Sequence, residues 1–185
     1  MEPSPQEQFW REWHEIRQSL QTWQRNPAAI IHGRNASTLS ELTDEQRIDL
    51  VNISESFRFA ALLYTERLAY PSAASTVGNI SSWVRQGLHF IKQVKSDVYL
   101  LWPLFIIGAE CVDEADIDVI RTRCLDIQKD SGFLNNKSTL DLLEKIWAAN
   151  ISDQAGYGYI NRTQSGFRFT KIMALEGNEG EYMVV

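Results

Sequence analysis

Few residues in this 185-residue chain have the type and spacing that chemistry demands. The string Asp113-Glu114-Ala115-Asp116 spells the DEAD box of RNA helicases. That chemistry also needs a Gly-rich phosphate loop ending in Lys-Ser/Thr, and no such loop occurs. Its ordinary reading is an acidic first helical turn set against the positive end of the helix dipole. His14, His32 and His89 are scattered, no HExxH is present, and Cys111 and Cys124 stand thirteen apart with no His beside them. No metal site is expected from such spacing. There is no GxSxG elbow, no GxGxxG loop and no local Cys–His arrangement, so no catalytic residue is assigned and an enzyme is not expected.

Glu110 is the charge that asks for an explanation. It ends a run of mostly apolar residues, where an unpaired carboxylate would cost several kcal/mol or take up a proton. Two readings stand: a buried or half-buried ion pair fixing helix register, with Arg58, Arg67 or Arg121 as partner, or an acid that contacts a ligand.

The elements that would position these groups are helical. Phe9, Trp13, Ile16, Leu20 and Trp23 recur in steps of four and three over residues 6–24, which forms one apolar stripe. As core the stripe is ordinary; as a surface it would receive a partner helix. Pro27 ends that helix and residues 27–41 read as loop. Thr43 with Gln46 forms a capping box, opening a helix to about Ala69 with Ile48, Val51, Phe57, Ala61, Tyr64 and Leu68 as its apolar side and Pro71 beyond it. A third helix covers about 73–95, with Val77, Ile80, Val84, Leu88 and Ile91 in register. The segment VYLLWPLFIIGAECV is apolar all round and belongs at the centre of a bundle, with Pro103 in its first turn or at a kink. Asp113 and Asp116 open a helix that carries Ile117, Ile120, Cys124 and Ile127 to Gly132. Another starts near Ser138, carries Leu140, Leu143, Ile146 and Trp147, and fades before Gly156. The stretch FRFTKIM reads as a strand or a last helical turn, and a short helix is the preferred reading. The expectation is all-α: a single bundle of about six to eight helices around a central apolar helix. Residues 1–42 supply an N-terminal helix and loop of the same domain, and residues 43–185 the rest.

Bulk properties narrow the function. A 185-residue chain that is 44% hydrophobic can bury roughly 70% of its unfolded surface and needs no staple. Cys111 and Cys124 are read as reduced, half-buried thiols. Acidic residues outnumber basic ones 24 to 18, giving a net charge of −6, so no basic stripe is available for a phosphate backbone and no direct DNA binding is expected. The start MEPSPQEQFW has no secretory character, and the apolar run at 98–109 is too short to span a bilayer. Six N-x-S/T triplets are read as incidental.

Beyond this, the chain resembles a known family. The segments SESFRFAALLYTERLAYPSAAS, SDVYLLWPLFIIGAECVDEADIDVIRTRCLDI and GFLNNKSTLDLLEKIW, in that order, are similar to the fungal-specific transcription factor domain, the helical regulatory region of zinc-cluster transcription factors. The central LLWPLF-x-x-G-x-E run is the most specific piece, and the tail 167–185 resembles the family's closing segment. The resemblance implies a nuclear protein, with the cytoplasm as the other option. It implies regulation, self-association or response to a small molecule, with homodimers or transcriptional co-regulators as partners. Zinc belongs to the six-cysteine DNA-reading module, absent from these 185 residues; no cofactor is expected in the chain itself, which is read as a fragment or as a stand-alone relative. Apolarity alone makes Tyr64, Trp102, Phe105, Ile106 and Trp147 the candidate pocket for a small apolar effector. The alternative is a helical protein–protein scaffold with neither ligand nor DNA.

Overall fold

The computed structural model describes residues 4–23, 42–70, 77–95, 99–131 and 134–156. Among them lie six helices and no strand: α1 (Pro5–Trp23), α2 (Asp44–Ala69), α3 (Val77–Ile91), α4 (Leu101–Glu110), α5 (Glu114–Ser131) and α6 (Leu134–Gly156). The all-α expectation holds. The expected loop at 27–41, the punctuation at Pro71 and Gly132, and the short helix over FRFTKIM fall outside the described residues.

α4 is the axle. Leu101 and every residue from Pro103 to Ala109 are buried, leaving only Trp102 and Glu110 partly open. Apolarity on all sides leaves no face for water, so α2, α3, α5 and α6 all pack around it. Pro103 sits at its third position, inside the first turn, where a backbone N–H would have had no intrahelical acceptor. At the other end the Gly108 carbonyl accepts both the Cys111 N–H (3.1 Å) and the Trp147 indole N–H (2.9 Å), so an open carbonyl of the last turn is satisfied from α6.

Close approach depends on two glycines. A Cβ at Gly87 of α3 would lie 2.6 Å from Ile107 Cδ1 and 3.3 Å from Phe59 Cβ, so α3 crosses α2 and α4 there backbone-first. A Cβ at Gly108 would meet Ile120 and Leu143 at 3.0 and 3.1 Å, where α4 passes between α5 and α6. Around these crossings Ile80, Val84, Leu88 and Ile91 of α3, Ile117, Ile120, Cys124 and Ile127 of α5, and Leu143, Ile146 and Trp147 of α6 are buried as their spacing requires. α6 begins at Leu134, four residues before the expected start at Ser138.

Two helices present other faces than the apolar pattern suggests. The capping box of α2 is present, with Gln46 N–H on Thr43 Oγ1 (3.2 Å) and Thr43 N–H on Gln46 Oε1 (2.9 Å). Yet Ile48, Phe57, Tyr64 and Leu68 are exposed, whereas Asn52, Ser56, Arg58, Phe59, Ala60, Leu62, Leu63 and Glu66 are buried. α2 is gripped by α1, α3 and α4, so no single stripe defines its inside. Its polar residues enter because each finds a partner: Ser56 donates to the Asn52 carbonyl (2.8 Å), and Arg58 holds Glu55 at 2.6 Å. On α1 only Trp13 of the expected stripe is buried; Leu20 is half-buried, and Phe9, Ile16 and Trp23 are 41%, 48% and 40% exposed. The helix is rotated onto Trp10, Trp13, Arg17 and Leu20, because directional contacts to α2 outweigh the fit of the apolar stripe. The thiols also differ from expectation: Cys111 and Cys124 are free and fully buried rather than half-buried.

Candidate functional site

The five candidate pocket residues lie on α4 itself (Trp102, Phe105 and Ile106) and on its neighbours α2 (Tyr64) and α6 (Trp147). Phe105 and Ile106 are core, buried in its walls. Trp102 and Tyr64 come together on the surface between α4 and α2, with ring centroids 6.3 Å apart. Trp147 is buried near the far end of α4, bound to the Gly108 carbonyl. The five thus divide into an open aromatic pair, two core residues of α4, and a buried residue toward the other end.

Phe57 completes the open part. Its ring stacks on Trp102 at 5.7 Å with planes 18° apart, and Phe57 and Tyr64 share a face of α2 because they are seven residues apart. The signal for Phe57 was in the sequence, since it stood on the same stripe as Tyr64; what was missing was that this stripe faces out and meets Trp102. α2 and α4 run side by side in the same sense: Trp102 lies against Phe57 and Tyr64, and eight residues on Glu110 meets Arg67. Arg67 Nε and Nη2 clasp the two Glu110 oxygens at 2.8 and 2.6 Å. Glu110 sits at the negative end of the α4 dipole, and the bidentate guanidinium offsets that unfavourable placement. Arg58 is committed to Glu55 and Arg121 to Glu144 (2.7 Å), so of the three candidates Arg67 is the partner.

The chemistry available here is recognition. Phe57, Tyr64 and Trp102 offer aromatic faces, and planar or apolar groups stack on such faces with about 0.5–1.5 kcal/mol per ring pair beyond area burial. Cys111 Sγ lies on the Ile107 carbonyl (3.3 Å), and burial together with the neighbouring acids Asp116, Glu110 and Asp113 holds its thiol well above the usual range. Burial alone pushes Cys124 up to about 12. Neither presents a thiolate. His14 Nδ1 is 2.6 Å from the Trp10 carbonyl, and His89 Nε2 is 2.8 Å from Gln93 Nε2. Among the described residues no three metal-ligating side chains gather, and no helix is long and apolar enough to cross a membrane.

The contacts that sequence reasoning missed are the ones that dock α1. Trp13 donates its indole N–H to the Thr65 carbonyl at 2.9 Å. Arg17 forms an ion pair with Glu66, whose side chain is only 3% exposed. The Arg17 guanidinium also lies 4.9 Å from the Trp13 ring and 5.3 Å from the Trp83 ring of α3. Burial raises the Glu66 carboxyl above the ordinary carboxylate range, and the charges of Arg17 and Arg67 pull the other way without cancelling it. No spacing rule reaches these pairs, since the partners stand 49 and 52 residues apart.

A family model described as fungal specific transcription factor domain matches residues 2–176. No curated protein and no solved structure matches the chain.

Proposed function

The chain belongs to the fungal-specific transcription factor domain family, and from that premise we propose that it is a nuclear regulatory domain responding to an apolar effector. The observation that carries the regulatory part of this reading is the extent of the match, residues 2–176 of 185: the family's sequence pattern accounts for nearly the whole chain. The family is one of transcription factors, not of enzymes, and the regulatory role follows from it. The finer content is ours. A ligand or partner shifts the balance between two helix packings by binding one of them more tightly.

The effector's contacts in this proposal are Tyr64 and Trp102, with Phe105 and Ile106 in the core of α4 and Trp147 transmitting the change to α6 through the Gly108 carbonyl. Phe57 supports this placement, since its stacking holds Trp102 at the surface. A second reading, a scaffold without ligand, is favoured by one observation: Phe9, Ile16 and Trp23 are exposed at heptad spacing on α1 and offer a surface for another helix.

Fusing the chain to a zinc-cluster DNA-binding module upstream of a reporter tests the regulatory role. Output should change several-fold relative to the module alone; an unchanged reporter under every growth condition contradicts the proposal. Thermal-shift screening against sterols and aromatic metabolites separates the readings. A hit whose shift is lost in Trp102→Ala supports the effector site, and indifference to every compound favours the scaffold.

A further inference from the structure

α1 is held by a small number of directional contacts, and all of them have the shape of a lock. The lock belongs to α2 and α3. Glu66 supplies a nearly enclosed carboxylate, Trp83 an aromatic wall, Thr65 a carbonyl, and Tyr70 a ring 5.7 Å from both Trp10 and Trp13. The key is a helix that places a Trp and, one turn later, an Arg: Trp13 and Arg17. Arg58 adds a bond from Nη1 to the Leu20 carbonyl at 3.4 Å. Key and lock are joined by residues 24–43, and a chain of twenty residues spans up to about 65 Å. That reach exceeds the length of α1 itself, which at 19 residues is about 29 Å.

We infer that the cleft around Glu66 is a docking site for the α1 helix of a second copy of this chain, and that two copies pair by exchanging α1 reciprocally. The occupant is fixed by what is seated there now. A second copy carries the same Trp13 and Arg17, so each contact made in cis is reproduced in trans, which makes exchange a low-cost route to a dimer. The tether decides which form dominates. Covalent attachment favours a chain's own cleft over that of another copy in dilute solution. Dilute chains are therefore closed monomers, and exchange prevails when two copies are held side by side or when cis pairing is disabled. This inference does not rest on the transcriptional reading, since it concerns only how α1 is seated.

Charge reversal in the full chain tests it. Arg17→Glu places two acids in the cleft and Glu66→Arg places two cations there, so each variant alone mismatches in cis. In a mixture, exchange sets the introduced acid of one chain on the introduced cation of the other. The same exchange restores the native Arg17 on the native Glu66, so both clefts match. Size exclusion with light scattering should find each variant monomeric at tens of micromolar and the equimolar mixture dimeric, with a midpoint at least about a hundredfold below that of the wild type. The double variant Arg17→Glu/Glu66→Arg should return to the closed monomer. A mixture that stays monomeric overturns the inference. So does a dimer of equal strength in the double variant, which would place the contact elsewhere, for instance on Phe9, Ile16 and Trp23. Should a reversed chain fail to fold, the wild type decides. A concentration-dependent dimer that Ile16→Glu, on the exposed face of α1, leaves intact supports exchange; a monomer throughout, or a dimer lost in Ile16→Glu, overturns it.

Discussion

Two acids in this protein face the same problem and meet it in different surroundings. Glu110 lies at a helix end with its two oxygens clasped by Arg67, both side chains retaining some contact with water. Glu66 is almost sealed beneath α1, and its burial keeps the carboxyl above its ordinary value of 4.5 even with Arg17 against it. A raised folded-state value means that the native chain binds this proton more tightly than the unfolded chain does. The linked stability term therefore grows as pH falls from neutral through the raised value and levels off below 4.5. Glu66→Gln has no proton to gain. Urea unfolding of both proteins should show the wild type gaining on Glu66→Gln between pH 7 and pH 4.5; a gap that stays constant or moves the other way contradicts the assignment. The two thiols make a second residue-scale test. Buried and held protonated, Cys111 and Cys124 should react with a thiol reagent at pH 8 only as fast as the protein opens. Labelling at the rate of a free thiol would show that they are accessible.

At the scale of elements, periodicity was a sound guide wherever a helix has one buried side. The apolar registers of α3 and α5 could be read directly: Ile80, Val84, Leu88 and Ile91, then Ile117, Ile120, Cys124 and Ile127. It misled on α2, because a helix held from three directions buries residues all round, and Ser56, Arg58 and Glu66 enter through partners that the pattern does not encode. It misled on α1 for a related reason, since an indole N–H on Thr65 and an ion pair to Glu66 set the rotation of the helix. The candidate site was half legible. Tyr64 and Trp102 were readable as aromatics near the central run. Which of the five residues are open and which are core depends on crossings made by Gly87 and Gly108, and a glycine in sequence does not say what passes over it. That difference is itself testable. Gly78, where an added Cβ would have nothing within 4 Å, should tolerate Ala and gain a few tenths of a kcal/mol from helix propensity. Gly87→Ala should instead lose about 1–2 kcal/mol, because overpacking against Ile107 and Phe59 exceeds the propensity gain. Equal denaturation midpoints for the two variants would contradict the close crossing.

For the molecule as a whole, one short apolar helix organises the rest. α2, α3, α5 and α6 bury their inner faces on α4, so its backbone can meet water only when the bundle comes apart. α1 stands at the other extreme, attached chiefly to α2, and none of its residues belongs to the buried cluster around α4. A domain of this build has its most deeply buried helix at the centre and α1 at the periphery. Amide hydrogen exchange followed by mass spectrometry on the full chain measures both at once. The slowest amides should be those of α4, exchanging at the rate of global unfolding, while α1 exchanges faster by local release. Exchange in α4 as fast as in α1 would contradict the arrangement around a buried central helix.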